Sequence, residues 1–345
     1  MAVYTTIDNP EAYFQVKLWT GNSTNDRVIT LDNTDADLDP DLLWIKKRTD
    51  DAEDWAVHDT VRGISSSAKL LNLNGTGAEE THGNNGFVSA VSADTFTLKT
   101  NDASGSDGFQ YNNHNTDTYA AWCWKESATA GFDIVAYTGN ATNRTISHSL
   151  SVKPDFMIVV CSAAGRGWAV WSNALAGTHA LELNEVDAQF ESTSSWNSTV
   201  PTSSVFSVGT RAATNDDGEA HQAYLFRSVQ GYSKFGSYTG NGSTDGAFVY
   251  TGFRPAFIMV KVSNGTTGNW QIQDTKRLGY NDKNVRMLGN TAETERTDQM
   301  WDMLSNGFKL TASSGDCNGD GNTYTYMAFA EQPFVNSKGV PCNAR

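Results

Sequence analysis

The chain has 345 residues, with 39 acidic against 25 basic side chains, a formal charge of −14, and ten tryptophans within an 11% aromatic fraction. The length suits two or three ordinary domains, and the aromatic content excludes a disordered chain. The negative charge argues against a nucleic-acid partner and an anionic membrane surface, and no apolar run approaches the ~20 residues that cross a bilayer.

The opening "MAVYTTIDNPEAYFQVK" lacks a basic start followed by an apolar core, so no Sec signal is expected and residues 1–12 read as a docking arm. Three units then follow, at 13–130, 131–230 and 231–334, ahead of a C-terminal tail at 335–345. Each begins with one phrase: "LWTGNSTN" from Leu18, "AYTGNATN" from Ala136 and "SYTGNGST" from Ser237. Each continues with a proline before an apolar run, in "DPDLLWIKK", "KPDFMIVVC" and "RPAFIMVKV". Trp55 then stands 15 residues after Pro40, Trp168 stands 14 after Pro154, and Trp270 stands 15 after Pro255. Repetition at this period is the mark of a tandem architecture. Each unit closes with a short strand ("DTFTLKT", "SVFSVGT", "NGFKLTA"), a Gly/Asn/Asp-rich turn and an apolar strand ("TYAAWCWKE", "QAYLFRS", "TYMAFAE"). The continuous apolar runs suit strands buried on both faces, and proline ahead of a strand costs least in lost hydrogen bonds. Only "ETERTDQMWDMLSNG", from Glu293, reads as a short helix, with Gly307 as its stop. The fold expected is all-β: three tandem antiparallel β-sandwich units of jelly-roll or lectin-like character, with short terminal arms.

Chemistry is sparse. Six scattered histidines form no metal-spaced pair, and no G-x-S-x-G marks a serine nucleophile, so no enzyme is expected. Four cysteines without a CxxC pair exclude a zinc or thioredoxin-like motif. Cys123 and Cys161 read as buried thiols of a protein made in a reducing cytoplasm, and a Cys317–Cys342 disulfide is left open. The sequons at Asn140 and Asn241 read as turn chemistry. In "DCNGDGN", Asp316, Asn318 and Asp320 alternate ahead of Gly321, the first half of a calcium loop. The twelfth position is Met327 where a glutamate belongs, so calcium is the one candidate cofactor and an acidic turn the competing reading. Trp55, Trp168 and Trp270 recur in every unit and read as core anchors. Aromatics peculiar to one unit are better ligand candidates: Tyr111 with Asn112, Asn113 and His114, and Trp196 with Asn197, in the loops 105–118 and 192–200.

These phrases carry a resemblance. "YTTIDNPEAYFQ", "GYSKFGSYTGNGSTDGAFVYTGFRPAFIMVK" and "MAFAEQPFVNSKGVPCNAR" are similar to the tandem YTGNGS/GF-PDFVWIK repeat proteins of tailed, especially marine, bacteriophages, described as tail-fibre-like or structural. The first unit departs from that pattern at Trp19, which replaces tyrosine, and at "LDNTDADLDPD". The resemblance implies a virion protein, made in the host cytoplasm without a signal peptide. It would serve as tail fibre, knob or capsid decoration. Its implied partners are other virion proteins, further copies of itself and a host surface polysaccharide. Three tandem units suggest an elongated, rigid body. Purely structural decoration is the alternative function, and polysaccharide depolymerase a weaker one.

Overall fold

A computed structural model describes residues 4–32, 37–49, 52–64, 69–81, 86–99, 111–277, 281, 285–298 and 300–342. The protein is built almost wholly of antiparallel strands. In the first unit the large sheet runs Phe14–Thr20, Thr118–Trp124, Leu42–Lys47, Ala56–Asp59, Lys69–Asn72, Glu80–Thr81 in spatial order. The second repeats it with Phe132–Thr138, Ala220–Phe226, Phe156–Cys161, Ala169–Ser172, His179–Glu182 and Phe190–Glu191. The third does so with Ser233–Thr239, Thr323–Pro333, Phe253–Asn264, Gln271–Asp274 and Arg286–Leu288. A small sheet covers one face of each, for example Arg27–Thr30, Thr95–Lys99 and Phe87–Ser92 in the first unit.

Alternation along the apolar strands explains their unbroken hydrophobicity. Leu43 and Ile45 point into the first unit's own sandwich, whereas Leu42 and Trp44 point into a core shared by all three units. Ile258, Val260 and Val262 face the third sandwich, while Phe257 and Met259 face the shared core. An antiparallel sheet usually leaves one face to water. Here both faces are covered because the units pack back to back. Pro255 lies inside its strand, where register shifts on either side of it accommodate the missing donor.

The three units close into a ring with approximate threefold symmetry. The Trp168 indole donates to Asn72 O in the first unit at 3.2 Å, Trp270 to Glu182 O in the second at 2.9 Å, and Trp55 to Leu288 O in the third at 3.0 Å. Backbone bonds cross the same three interfaces the other way. Glu79 N donates to Ser162 O at 2.7 Å, Gln189 N to Ser263 O at 3.0 Å and Glu295 N to Arg48 O at 3.2 Å. On the axis side, rings from different units meet: Phe14 stacks on Phe329 at 5.0 Å, and Phe226 lies 5.8 Å from Phe235. The expected elongated body is therefore replaced by a closed one, in which the tryptophan repeated in each unit donates to a carbonyl of its neighbour.

Two further expectations change. The described residues of 293–307 form no helix: Trp301–Leu304 is a strand paired with Gly307–Leu310. Trp301 and Met303 are buried between half-exposed Asp302 and Leu304, a period of two that outweighs the helix formers upstream. The described part of the 1–12 segment lies on its own chain. Ile7 is in the shared core, the Thr5 hydroxyl bonds Gln230 O at 2.9 Å, and Asp8 accepts from Ser337 N of the C-terminal tail at 2.7 Å.

Candidate functional site

The repeated phrase forms the same knot three times. Its aromatic residue stacks on a ring of the unit's last strand: Trp19 on Tyr119 at 5.5 Å, Tyr137 on His221 at 5.1 Å, Tyr238 on Tyr324 at 5.1 Å. Each aromatic then donates to the carbonyl just before a buried asparagine. Trp19 Nε1 reaches Asn112 O at 2.8 Å, Tyr137 OH reaches Thr214 O at 2.5 Å and Tyr238 OH reaches Cys317 O at 2.6 Å. The indole of Trp19 thus does the work of the tyrosine it replaces.

The asparagines that follow, Asn113, Asn215 and Asn318, are fully buried and hold the phrase by both ends of the amide. Asn215 Oδ1 accepts from Asn140 N at 3.0 Å, and its Nδ2 donates to Asn140 Oδ1, Thr142 O and Gly209 O. Asn113 grips Asn22 and Thr24 in the same way, and Asn318 grips Asn241 and Ser243. The glycine of the phrase is required by contact rather than by φ: a Cβ on Gly139 would lie 1.8 Å from Asp216 O, and one on Gly21 1.8 Å from His114 O.

The ligand candidates of the sequence take these places. Trp196 is fully buried in the shared core, so its ring has no face for a sugar, and Asn197 beside it turns the chain at φ 50. Asn112 is buried, donating to Phe87 O at 3.1 Å, and Asn113 is the knot residue. Tyr111 is half-buried against the first sandwich, and His114 pairs with Asp117 at 2.9 Å. Loop residues 105–110 lie outside the described residues.

The three residues of the half calcium loop are placed as follows. Asp316 accepts from Asn269 N and from the Gln271 amide at 2.8 Å, Asn318 turns its oxygen to Asn241 N, and Asp320 is exposed. The oxygens of Asp316 and Asn318 are thus engaged in loop-tying bonds. Cys317 is buried beside Met300 and Cys342 is a free thiol, so no disulfide joins them.

One carboxyl is pushed towards neutrality. Burial, and then a hydrogen bond with Asp133, pushes Glu126 up to about 7. Such shifts accompany catalytic acids as well as structural ones. Here Glu126 also accepts from Ile134 N at 3.2 Å across the junction of the first two units, while Asp133 accepts from Ser149 N at 2.6 Å within the second, so both carboxyls have structural partners.

The surface holds a different feature. A cleft of about 510 Å³ opens where the N-terminal segment, the second-to-third unit junction and the C-terminal tail meet. Tyr4 and Tyr250 line it with Gln230, Lys234 and Thr251. A second hollow of about 290 Å³ shares Ser228 and Gln230 with it and adds Arg227. Among the described residues the exposed aromatic side chains are Tyr4, Phe248 and Tyr250. Tyr250 is 60% exposed, and Phe248 points the same way from the same strand. Sequence reasoning missed these residues because Tyr250 lies in an alternating strand, "AFVYTG", and reads as fold. The signal was available in the comparison of units: Thr30 and Ser147 hold the positions that Tyr250 holds in the third.

A family model described as "Domain of unknown function (DUF7483)" matches residues 9–333. The chain belongs to that family. The DUF7483 match takes in all three units, so it spans the closed ring rather than one repeat. No curated protein matches the chain.

Proposed function

We propose that the protein is a non-enzymatic component of a tailed-bacteriophage virion, exposed on the particle, and that it meets the host surface through its third unit. The virion assignment rests on the resemblance of its repeated phrases. The observation that carries the adhesive role is a break in symmetry. Residues common to the units, such as Trp168, Asn215 and Gly139, are engaged in cohesion. What remains for outside partners is what one unit alone has, and the exposed rings of Tyr250 and Phe248 belong to the third unit only. Exposed aromatic surface of this kind is a mark of binding.

Decoration without ligand binding is the second reading, favoured by the same engagement of the repeated residues in cohesion. Immunogold labelling of purified virions separates the two. Gold at the tail tip or on fibres supports adhesion, and gold over the head supports decoration. Absence of gold from particles contradicts the virion assignment altogether. Release of reducing ends from host capsule by the purified protein would overturn the non-enzymatic part.

A further inference from the structure

The geometry points to the cleft and its neighbouring hollow as one binding groove for an acidic polysaccharide. This deepens the adhesive reading given above and rests on it only for its biological setting. Three observations support the ligand class.

First, the groove has the parts that bind a sugar chain. Tyr4 and Tyr250 offer aromatic faces, 47% and 60% exposed, onto which pyranose C–H surfaces can stack. Gln230 supplies an exposed amide beside them. Sites of this volume with a few convergent polar groups are the usual form of a ligand pocket. The two hollows share Ser228 and Gln230, so the path suits a chain of several residues better than one monosaccharide.

Second, the groove is electrostatically out of character with the molecule. The chain carries 39 acidic residues, yet none lines either hollow, whereas Lys234 and Arg227 both do. Among the described residues Lys234 makes no ion pair, and Arg227 donates only to the backbone oxygen of Ala128. A cationic groove on an anionic body selects an anionic ligand, and the surrounding field discourages its binding elsewhere.

Third, the groove is built from residues off the threefold pattern. Tyr4 comes from the N-terminal segment, Phe334 and Val335 from beyond the last strand, and Tyr250 from the one unit with an aromatic at that position. Closing the ring does not require an exposed tyrosine there, since Thr30 and Ser147 occupy the equivalent positions of the other units.

The test is titration calorimetry of the full-length protein with an oligomer of a hexuronic acid and with a neutral glucan oligomer of equal length. The uronate should bind, more weakly as salt is added, and the neutral glucan at least tenfold more weakly. Y250A and K234A should each weaken uronate binding tenfold or more while leaving the unfolding midpoint unchanged, because both side chains are exposed. No uronate binding at millimolar concentration overturns the proposal. Undiminished binding by both variants overturns the groove as the site. Equal binding of the neutral glucan overturns the acidic class. None of these results depends on where the protein sits on a particle. Gold on virions without uronate binding would therefore refute the groove and leave the virion assignment standing.

Discussion

Asn215 shows how a polar side chain in a loop can serve the fold rather than a ligand. Its amide oxygen accepts one bond, and its two N–H groups are shared among three acceptors in a fully buried position. Replacing it with alanine leaves the Asn140 N–H and the carbonyls of Thr142 and Gly209 short of partners. A buried group left unsatisfied costs about 1–3 kcal/mol, so Asn215→Ala should lower stability by roughly 2–4 kcal/mol once the loop relaxes. Chemical denaturation would register this as a lower midpoint with an unchanged slope. An unaltered midpoint would mean that the knot is not what holds the phrase. The sequence singles out Asn113 and Asn318 but assigns them binding chemistry, because an asparagine in a polar loop looks the same whether it grips a ligand or its own backbone. What distinguishes them is spacing. Asn113, Asn215 and Asn318 each stand six residues before the ring that receives the stack, at Tyr119, His221 and Tyr324.

At the scale of single strands, the apolar runs were legible because a continuous hydrophobic segment bounded by turns has few alternatives to a doubly buried strand. Their charged members were not. Lys46 and Lys261 occupy equivalent positions in the first and third units, where the second has Val160. Both ammonium groups are fully buried and cross an interface, Lys46 to Ala292 O at 2.9 Å and Lys261 to Val186 O at 2.7 Å. Burial lowers each from 10.5 to about 8, against the weaker pull of nearby acids such as Asp54 and Asp316. The unfolded chain therefore binds more protons than the folded one between about pH 8 and pH 10.5, so stability rises with pH in that window. Above the usual thiol value of 9 the sign is opposed, because burial pushes up the thiols of Cys123, Cys161 and Cys317, and above 10 phenols such as Tyr326, raised to about 12, add to the reversal. Folding stability should thus climb from about pH 8 towards pH 9, and the K46M/K261M double variant should lose most of that climb. An identical pH profile in the variant would show that these lysines do not carry it. Glu126 acts in a lower window. With its folded value raised to about 7 from 4.5, the folded state holds the extra proton, and its contribution fades as pH rises through 4.5–7. Glu126→Gln should flatten that part of the profile.

On the scale of the molecule, three units were countable in the sequence, but their closure into a ring was not. Tandem repeats with short junctions fit a row or a ring equally well, and the deciding contacts join residues far apart in the chain, such as Trp55 and Leu288. Symmetry then gives a rule for locating function. Residues repeated in every unit build the body, while Tyr4, Lys234 and Tyr250, which have no threefold counterparts in the groove, are available for other work. The body itself makes a sharp physical claim. Phe14, Phe226, Phe257 and Phe329 come from all three units and share one core, so removing any unit exposes the inner faces of the other two. Buried area of that kind couples units into one folding transition, whereas a row of self-sufficient sandwiches would unfold stepwise. Differential scanning calorimetry of the intact chain tests this directly. The closed ring predicts one transition whose calorimetric and van't Hoff enthalpies agree, and two or more resolved transitions would contradict it.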